Sequence, residues 1–292
     1  CECGIYINTS DVVLNGKGHI LDGVYNDSSR YGIYVDHATN VTIKNLIIQE
    51  WLDWGICLDA SSNTTIANNT VQNNDEYGIY LFDCTSNNTI ANNTVQNNAY
   101  GMHIYSSNSN VYYNVIQKNS VGIWIVKSSN NTIANNKIQR NSWYGITLYY
   151  SSHITIINNL ILGIKDDGIV DVGIDISESS SYNNITGNII MYCESYGISL
   201  LYNSLNNTIV NNDILDNYGG IYIESSSNNT IYLNNIINSI HDLYCYVSTN
   251  RFYSPIPIIY TDRGTTYTNF TGNYWSNYIG EDRNDDGIGD TP

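Results

Sequence analysis

The end of the chain carries oxygen-bearing groups at alternate positions. They are Asp282, Asn284, Asp286, the carbonyl of Ile288 and Asp290. Gly287 permits a tight turn that would direct the Ile288 carbonyl inward. Because calcium is held by several oxygen ligands of such loops, we predict a calcium site here. A solvated acidic turn is the alternative that the residues leave open.

A second acidic group falls between residues 165 and 178. It consists of Lys165, Asp166, Asp167, Asp171, Asp175 and Glu178. Paired carboxylates can serve as acid and base, and proton removal beside a uronate also needs a cation that neutralises charge. This group contains few basic side chains, so we assign no catalytic residue. We predict a solvated or ion-binding loop.

Soft metal ligands are scattered along the chain. The candidates are His19, His37, His103, His153, His241, Met102 and Met191. A copper site needs such side chains within one coordination sphere. The closest local pair is His241 with Cys245, and one pair does not predict copper binding.

Aromatic residues recur at two fixed positions relative to a repeated glycine. One set immediately precedes it: Tyr31, Trp54, Tyr77, Tyr100, Tyr144 and Tyr196. The other lies two residues after it at Tyr6, Tyr34, Tyr80, Trp124 and Tyr222, with Tyr244 at the equivalent position of its unit. Tyrosine offers a wide face and a hydroxyl at low entropic cost, which suits contact with carbohydrate or with a lateral protein partner. Stabilisation of neighbouring strands by stacked rings is the alternative interpretation.

Asn-x-Ser/Thr sequons are frequent, and they predict N-linked glycans and secretion. Those whose Ser/Asn neighbours indicate exposure are Asn63, Asn87, Asn130, Asn206 and Asn228. A repeat that spells Asn-Asn-Thr also creates sequons automatically. Asn68 and Asn92 sit at a turn where we expect the amide to bond neighbouring coils, and a glycan there would not fit.

The elements that must position these groups follow from a repeat of about 23 residues, seen for example between Gly55, Gly78 and Gly101. Each unit holds three short segments of alternating apolar residues separated by Asn and Ser clusters, which predicts three strands and three turns. The fold class is all-β: a single-stranded right-handed parallel β-helix of about ten coils. Leucine-rich repeats have similar periods, but their leucine ladder is missing. We predict the β-helix over 1–246 and a non-repetitive tail over 247–292.

Stacked coils should place like residues in columns. We expect one inward column at Ile56, Ile79, Met102, Ile123, Ile146, Ile174, Ile198 and Ile221, and another at Ile43, Ile66, Ile90, Ile133, Ile185, Ile209 and Ile231. Asn68, Asn92, Asn135, Asn158, Asn211 and Asn234 should share one turn, with left-handed backbone and amides that bond the adjacent coils.

Composition limits the partners. The formal net charge is −16 with 11 Lys and Arg, so a nucleic acid is a poor partner. No apolar run is long enough to span a bilayer. The chain opens in the middle of a strand at Cys1-Glu2-Cys3-Gly4, from which we expect an upstream segment.

The motifs Gly4-Ile5-Tyr6-Ile7, Leu14-Asn15-Gly16 and Gly272-Asn273-Tyr274-Trp275 resemble those of NosD-like right-handed β-helix proteins, which are common on archaeal cell surfaces. The resemblance covers almost the whole chain. It implies the β-helix fold and a choice among copper-centre maturation factors, carbohydrate-active enzymes and surface proteins.

Taken together, the residues favour an extracellular, glycosylated structural protein of a cell surface or filament. We expect a homo-oligomer or filament that associates through coil ends and aromatic faces. The alternative is a carbohydrate-binding or carbohydrate-cleaving β-helix of lyase, hydrolase or epimerase type, and a periplasmic copper-maturation protein is less favoured.

Overall fold

The computed structural model describes residues 3–23, 29–84, 86–163 and 171–289. In this part of the chain all regular elements are strands, and the long sheets are parallel. The chain winds through a first, a second and a third sheet in turn, so that each coil adds one strand to each sheet. This is the predicted parallel β-helix.

The strands of the first sheet are Cys3–Ile7, Tyr31–Asp36, Trp54–Asp59, Tyr77–Cys84, Tyr100–Ser106, Val121–Val126, Tyr144–Tyr149, Val172–Ser177, Tyr196–Leu201, Gly219–Glu224 and His241–Tyr246. Those of the second sheet are Val13–Asn15, Thr42–Lys44, Thr65–Ala67, Thr89–Ala91, Asn110–Tyr112, Thr132–Ala134, Thr155–Ile157, Asn184–Thr186, Thr208–Val210 and Thr230–Tyr232. Those of the third sheet are Ile20–Asp22, Ile47–Gln49, Thr70–Gln72, Thr94–Gln96, Val115–Gln117, Lys137–Gln139, Leu160–Leu162, Ile189–Met191, Asp213–Leu215, Asn235–Ile237 and Tyr274–Trp275.

The core is built from the inward columns. Ile79 pairs with Ile56 and Met102, and Ile90 pairs with Ile66, so the repeat sets the register. Both predicted inward columns are confirmed, since every member is fully buried. The β-branched side chains suit this stacked, pleated surface.

Buried asparagines form ladders at the turns, and here one prediction is wrong. Asn68, Asn92, Asn135, Asn158 and Asn211 are exposed, although their backbone is left-handed as expected. The ladder between the second and third sheets instead contains the five residues that follow them, together with Asn114, Asn188 and the predicted Asn234. It runs through Asn69, Asn93, Asn114, Asn136, Asn159, Asn188, Asn212 and Asn234. The residue with left-handed backbone turns the chain. The side chain of the residue after it then points inward and bonds the adjacent coils. The expectation that Asn68 and Asn92 are inaccessible to glycans is therefore wrong as well.

The tail adds rungs to two of the three sheets. Arg251 forms a bridge with Thr230 of the second sheet, and Tyr274–Trp275 pairs with Asn235–Ile237 of the third. Asn273 continues the buried ladder by accepting the backbone N–H of Asn234 at 3.1 Å. An antiparallel hairpin of Ile258–Asp262 and Thr265–Asn269 lies between these rungs in sequence. The domain division at residue 246 remains a prediction.

Candidate functional site

The outward face of the first sheet carries the aromatic residues singled out from the sequence. Tyr31, Trp54, Tyr77 and Tyr100 pair with one another in successive coils, and Tyr144 and Tyr196 occupy the same column further along. All six are partly exposed. The structure thus brings the predicted contact residues into one line, while their role stays a prediction.

A second outward column runs beside the first. It contains Tyr6, Tyr34, Cys57, Tyr80, His103, Trp124, Thr147, Asp175, Ser199, Tyr222 and Tyr244. Cys57 belongs to this outward column, yet it is fully buried. We refer to the two columns together as the aromatic face.

Neighbouring rings on this face stack along the axis of the β-helix. Ring centroids are 4.6 Å apart for Tyr31 and Trp54, with an interplanar angle of 25°. His103 stacks on Tyr80 at 4.8 Å and 15°, and on Trp124 at 4.6 Å and 12°. Because the ring faces cover each other, the surface offers mainly ring edges and hydroxyl groups. Strand stabilisation by stacked rings is thus part of what these residues do.

His103 is a buried imidazole within this stack. It is 9% exposed, and neither ring nitrogen has a hydrogen-bond partner. Burial lowers its pKa from 6.5 to about 4, because the charged form would lose its hydration without gaining a partner. The ring is therefore neutral at physiological pH. No pattern in the sequence indicates this environment.

We expect His103 to make the fold sensitive to acid. His103 binds a proton near pH 6.5 in the unfolded chain and only near pH 4 in the folded chain. The contribution of its neutral ring to stability is therefore complete above pH 6.5 and is lost as the pH falls towards 4. The free energy of unfolding should drop by about 3 kcal/mol over that window. Denaturant titrations of wild type and His103→Phe at a series of pH values isolate the effect, since carboxylates are common to both. Parallel curves for the two proteins would show that the imidazole contributes nothing.

A polar cluster interrupts the aromatic face between Trp124 and Tyr222. The Asp175 carboxylate is 2% exposed and accepts hydrogen bonds from Ser199 Oγ at 2.6 Å, Ser177 Oγ at 2.8 Å and Thr147 Oγ1 at 3.0 Å. Burial raises the pKa of Asp175, and these hydroxyl donors oppose the rise. Burial, followed by the charge of Asp175, raises the pKa of the half-buried Tyr144 to about 12.

Two other members of the predicted acidic group, Asp171 and Glu178, make hydrogen bonds outside the Asp175 cluster. Asp171 is buried at the turn before its strand and accepts the Glu194 N–H at 2.6 Å. Glu178 is partly exposed and accepts the Tyr150 hydroxyl at 3.1 Å. Lys165, Asp166 and Asp167 lie outside the described residues. The expected solvated loop is therefore wrong for Asp171 and Asp175, which the fold buries.

The C-terminal loop turns its oxygens onto its own backbone. The Asp282 carboxylate accepts the N–H groups of Asp286 at 3.1 Å and Gly287 at 2.8 Å, and the Asp286 carboxylate accepts that of Ile288 at 2.9 Å. Asn284 also accepts the Asp286 N–H at 3.1 Å. Asp290 lies outside the described residues.

The loop packs on the tail hairpin. The Arg263 guanidinium contacts the Asp285 carboxylate at 2.7 Å, and the Tyr267 hydroxyl donates to the Asp285 carbonyl at 3.1 Å. Within the described ranges no cluster of three His, Cys, Asp or Glu side chains is arranged to hold a metal ion. Calcium remains a prediction for this loop.

The five favoured sequons all lie at the turn between the first and second sheets. Asn63, Asn87, Asn130 and Asn228 are exposed and Asn206 is partly exposed. Each has positive φ, and the residue after it is buried. The side chains are thus accessible, and their glycosylation stays a prediction.

These coils define a class: parallel β-helix proteins with three sheets and a coil of about 23 residues. The profile of the family "Right handed beta helix region" matches residues 1–138, and that of the family "Periplasmic copper-binding protein (NosD)" matches residues 111–280. The second match spans more than half of the chain, so the chain belongs to the NosD family.

One curated relative is the "Probable ABC transporter binding protein NosD" of Stutzerimonas stutzeri. It is 28% identical over 167 residues, which are 57% of this chain and 32% of the relative. The chain therefore spans about a third of that relative's length. No helix in the described residues has the length and apolar character needed to cross a membrane.

Solved structures with the same fold have diverse roles. PfbA, a surface adhesin of Streptococcus pneumoniae, matches with a TM-score of 0.67 and 16% identity over 93% of this chain and 80% of its own. The periplasmic alginate epimerase AlgG matches with a TM-score of 0.55 and 16% identity over 80% and 73%. DFA-IIIase from Arthrobacter chlorophenolicus A6 matches with a TM-score of 0.61 and 10% identity over 89% and 72%. At these identities the likeness shows the fold alone.

Copper, which the family description names, does not fit the described residues. His103 is enclosed between Tyr80 and Trp124, and Met102 is fully buried in the core. A copper site needs several soft donors around one point, and the described ranges contain no suitable cluster of His, Cys and acidic side chains.

Proposed function

We propose that the chain is a structural protein outside the cytoplasm, which contributes a rigid surface element and associates laterally through the aromatic face. The periplasmic family description and the adhesin fold support this location. The observation that carries the proposal is the long line of partly exposed aromatic rings on one face of a stacked sheet.

The physical argument rests on what such a face can contact. Tyrosine and tryptophan are enriched at the centres of protein interfaces, where they bury large area with few rotors. Here the rings are already ordered by stacking, so association costs little further side-chain entropy. Since their faces are covered by neighbours, a broad protein surface matches them better than a single sugar ring does.

Glycans complete the proposal. The five favoured sequons lie at the turn between the first and second sheets, beside the aromatic face and not on its two columns. Glycans there would leave the aromatic face itself free and restrict contacts along its edge next to the second sheet, which would favour one mode of lateral contact.

Replacing Tyr77, Tyr100 and Tyr144 together with Ser should weaken self-association by at least about tenfold, since each removes a partly exposed ring from the line. Sedimentation velocity over a range of concentrations measures this. The matched control replaces Tyr113, Tyr150 and Tyr182, which are 58%, 55% and 58% exposed at turns. Equal association of the two triple variants would refute the proposal.

The same pair of variants separates the second candidate, a carbohydrate-binding β-helix. The partly exposed tyrosines of the aromatic face, which present hydroxyl groups and ring edges to the solvent, favour this candidate. Retention of the protein on alginate or pectate gels should then be lost only in the Tyr77, Tyr100 and Tyr144 variant. Together with unchanged sedimentation of that variant, this result would favour carbohydrate binding over lateral association.

We further propose that calcium binds Asp282, Asn284, Asp286, the Ile288 carbonyl and Asp290. The alternate spacing of their oxygens supports this, and the ion would fasten the loop to the hairpin. At a hundred times its dissociation constant, calcium would stabilise the tail by about 2.7 kcal/mol. Limited proteolysis should therefore cut the tail faster in chelator than in calcium. Equal rates of cleavage would leave the loop as an acidic turn.

A further inference from the structure

The first sheet ends differently from the other two. Its last described strand, His241–Tyr246, has no strand on its outer side, whereas the tail adds rungs to the second and third sheets. The core-facing Leu243 is only partly buried and Cys245 is exposed. A cleft of about 360 Å³ lies beside this strand and reaches Trp275 and Tyr278.

A column of glycines lets each strand of the first sheet lie close to the strand of the next coil. Glycine stands at one position of each earlier strand of the first sheet: Gly4, Gly32, Gly55, Gly78, Gly101, Gly122, Gly145, Gly173, Gly197 and Gly220. A Cβ on any of them would lie only 2.4–3.1 Å from the carbonyl oxygen of the residue below it in the next coil. Contacts this short require the backbones to separate.

Asp242 occupies this column in the last strand. The register aligns it with Gly220, because Gly219 pairs with His241 and Ile221 with Leu243. Asp242 is 8% exposed, and its carboxylate accepts the Asn277 N–H at 2.9 Å and the Asn277 Nδ2 at 3.2 Å. The position thus has both a Cβ and a fixed carboxylate where every preceding coil has neither.

We infer that Asp242 is a stop residue, which closes the C-terminal edge of the first sheet to a further parallel strand, including the strand Cys3–Ile7 of a second copy. A second copy is the natural candidate because its strand has the same Gly-Ile pattern and would continue the columns of the sheet. The inference concerns which strand the edge accepts and does not rest on the proposed function. It restricts end-to-end association, which the sequence had suggested, at this end of the β-helix.

The test is binding of a fluorescent peptide with the sequence of residues 29–38, which contains one complete strand of the first sheet. Fluorescence anisotropy is measured with the full chain as wild type, Asp242→Gly and Asp242→Ala. Relief of the steric contact should make the Gly variant bind at least about tenfold more tightly than the other two. The Ala variant is the matched control, since it loses the carboxylate but keeps the Cβ.

Two results would overturn the inference. Wild type that binds as tightly as Asp242→Gly would show that the glycine column does not control the edge. Asp242→Ala that binds as tightly as Asp242→Gly would assign the block to the Asn277 contact and not to the Cβ.

A measurement on wild type alone covers the case in which the Gly variant does not fold. Amide hydrogen exchange of His241–Tyr246 should be unchanged by saturating peptide. Protection of these amides would contradict a closed edge.

Discussion

Substituting Asp for Asn136 is expected to lower the free energy of unfolding by about 4 kcal/mol, because it breaks a buried ladder without changing side-chain size. Asn136 is 2% exposed. Its amide donates to the Val111 carbonyl at 2.9 Å and to Asn159 Oδ1 at 3.0 Å. A carboxylate would face both acceptors with no proton to offer.

Asn135 is the matched control. It is the adjacent residue, is exposed and has a φ of 54°, a conformation that Asp tolerates. Asn135→Asp therefore adds the same charge at almost no cost, within about 0.5 kcal/mol. Chemical denaturation followed by circular dichroism compares the two.

Acidification should restore part of the loss in Asn136→Asp, since a protonated Asp regains one donor. Equal stability of the two variants at neutral pH would mean that the ladder does not stabilise the coils.

The second large effect is expected at Gly122. A Cβ there would lie 2.4 Å from the Gly145 carbonyl oxygen and 3.0 Å from Asn141 Nδ2. Neither can move without separating two coils, so Gly122→Ala should cost about 3 kcal/mol or more. Each coil is held chiefly by its neighbours, so the loss should spread along the β-helix as a lower melting temperature.

Gly272→Ala provides the comparison. A Cβ at Gly272 would have one close neighbour, the Phe252 carbonyl oxygen at 3.3 Å, and the cost should stay below about 1 kcal/mol. If the two alanine variants melt at the same temperature, close backbone approach does not explain the glycine column, and the stop at Asp242 loses its basis.

Repetition is what made the fold predictable from the sequence. A recurring Gly-Ile step fixes the register between coils, and the register alone places Ile79 on Ile56 and Ile90 on Ile66. The alternation of inward and outward residues then assigns the aromatic column two residues after the glycine. These predictions needed no knowledge of side-chain contacts.

Turns were less predictable because one residue separates the two orientations. The sequence shows paired asparagines at 68–69 and 92–93 without showing which of the two is buried. In the structure the first adopts the left-handed conformation and the second bonds the adjacent coils. The wrong assignment of the ladder to Asn68 and Asn92 has this origin.

Two further features have signals in the sequence. Asn273-Tyr274-Trp275 imitates the Asn234-Asn235-Ile236 pattern, but the longer interval hid its membership of the third sheet. Asp242 stands where the repeat calls for glycine. By contrast, the enclosure of His103 depends on rings from adjacent coils and could be found only in three dimensions.

Small-angle scattering of the wild-type chain at increasing concentration tests lateral association through the aromatic face most directly. Ten coils that rise about 4.8 Å each give a β-helix about 50 Å long. Sideways association predicts that the cross-sectional radius of gyration increases with concentration while the length remains that of one molecule. A particle that stays single at all concentrations, or one that lengthens at constant cross-section, would contradict it.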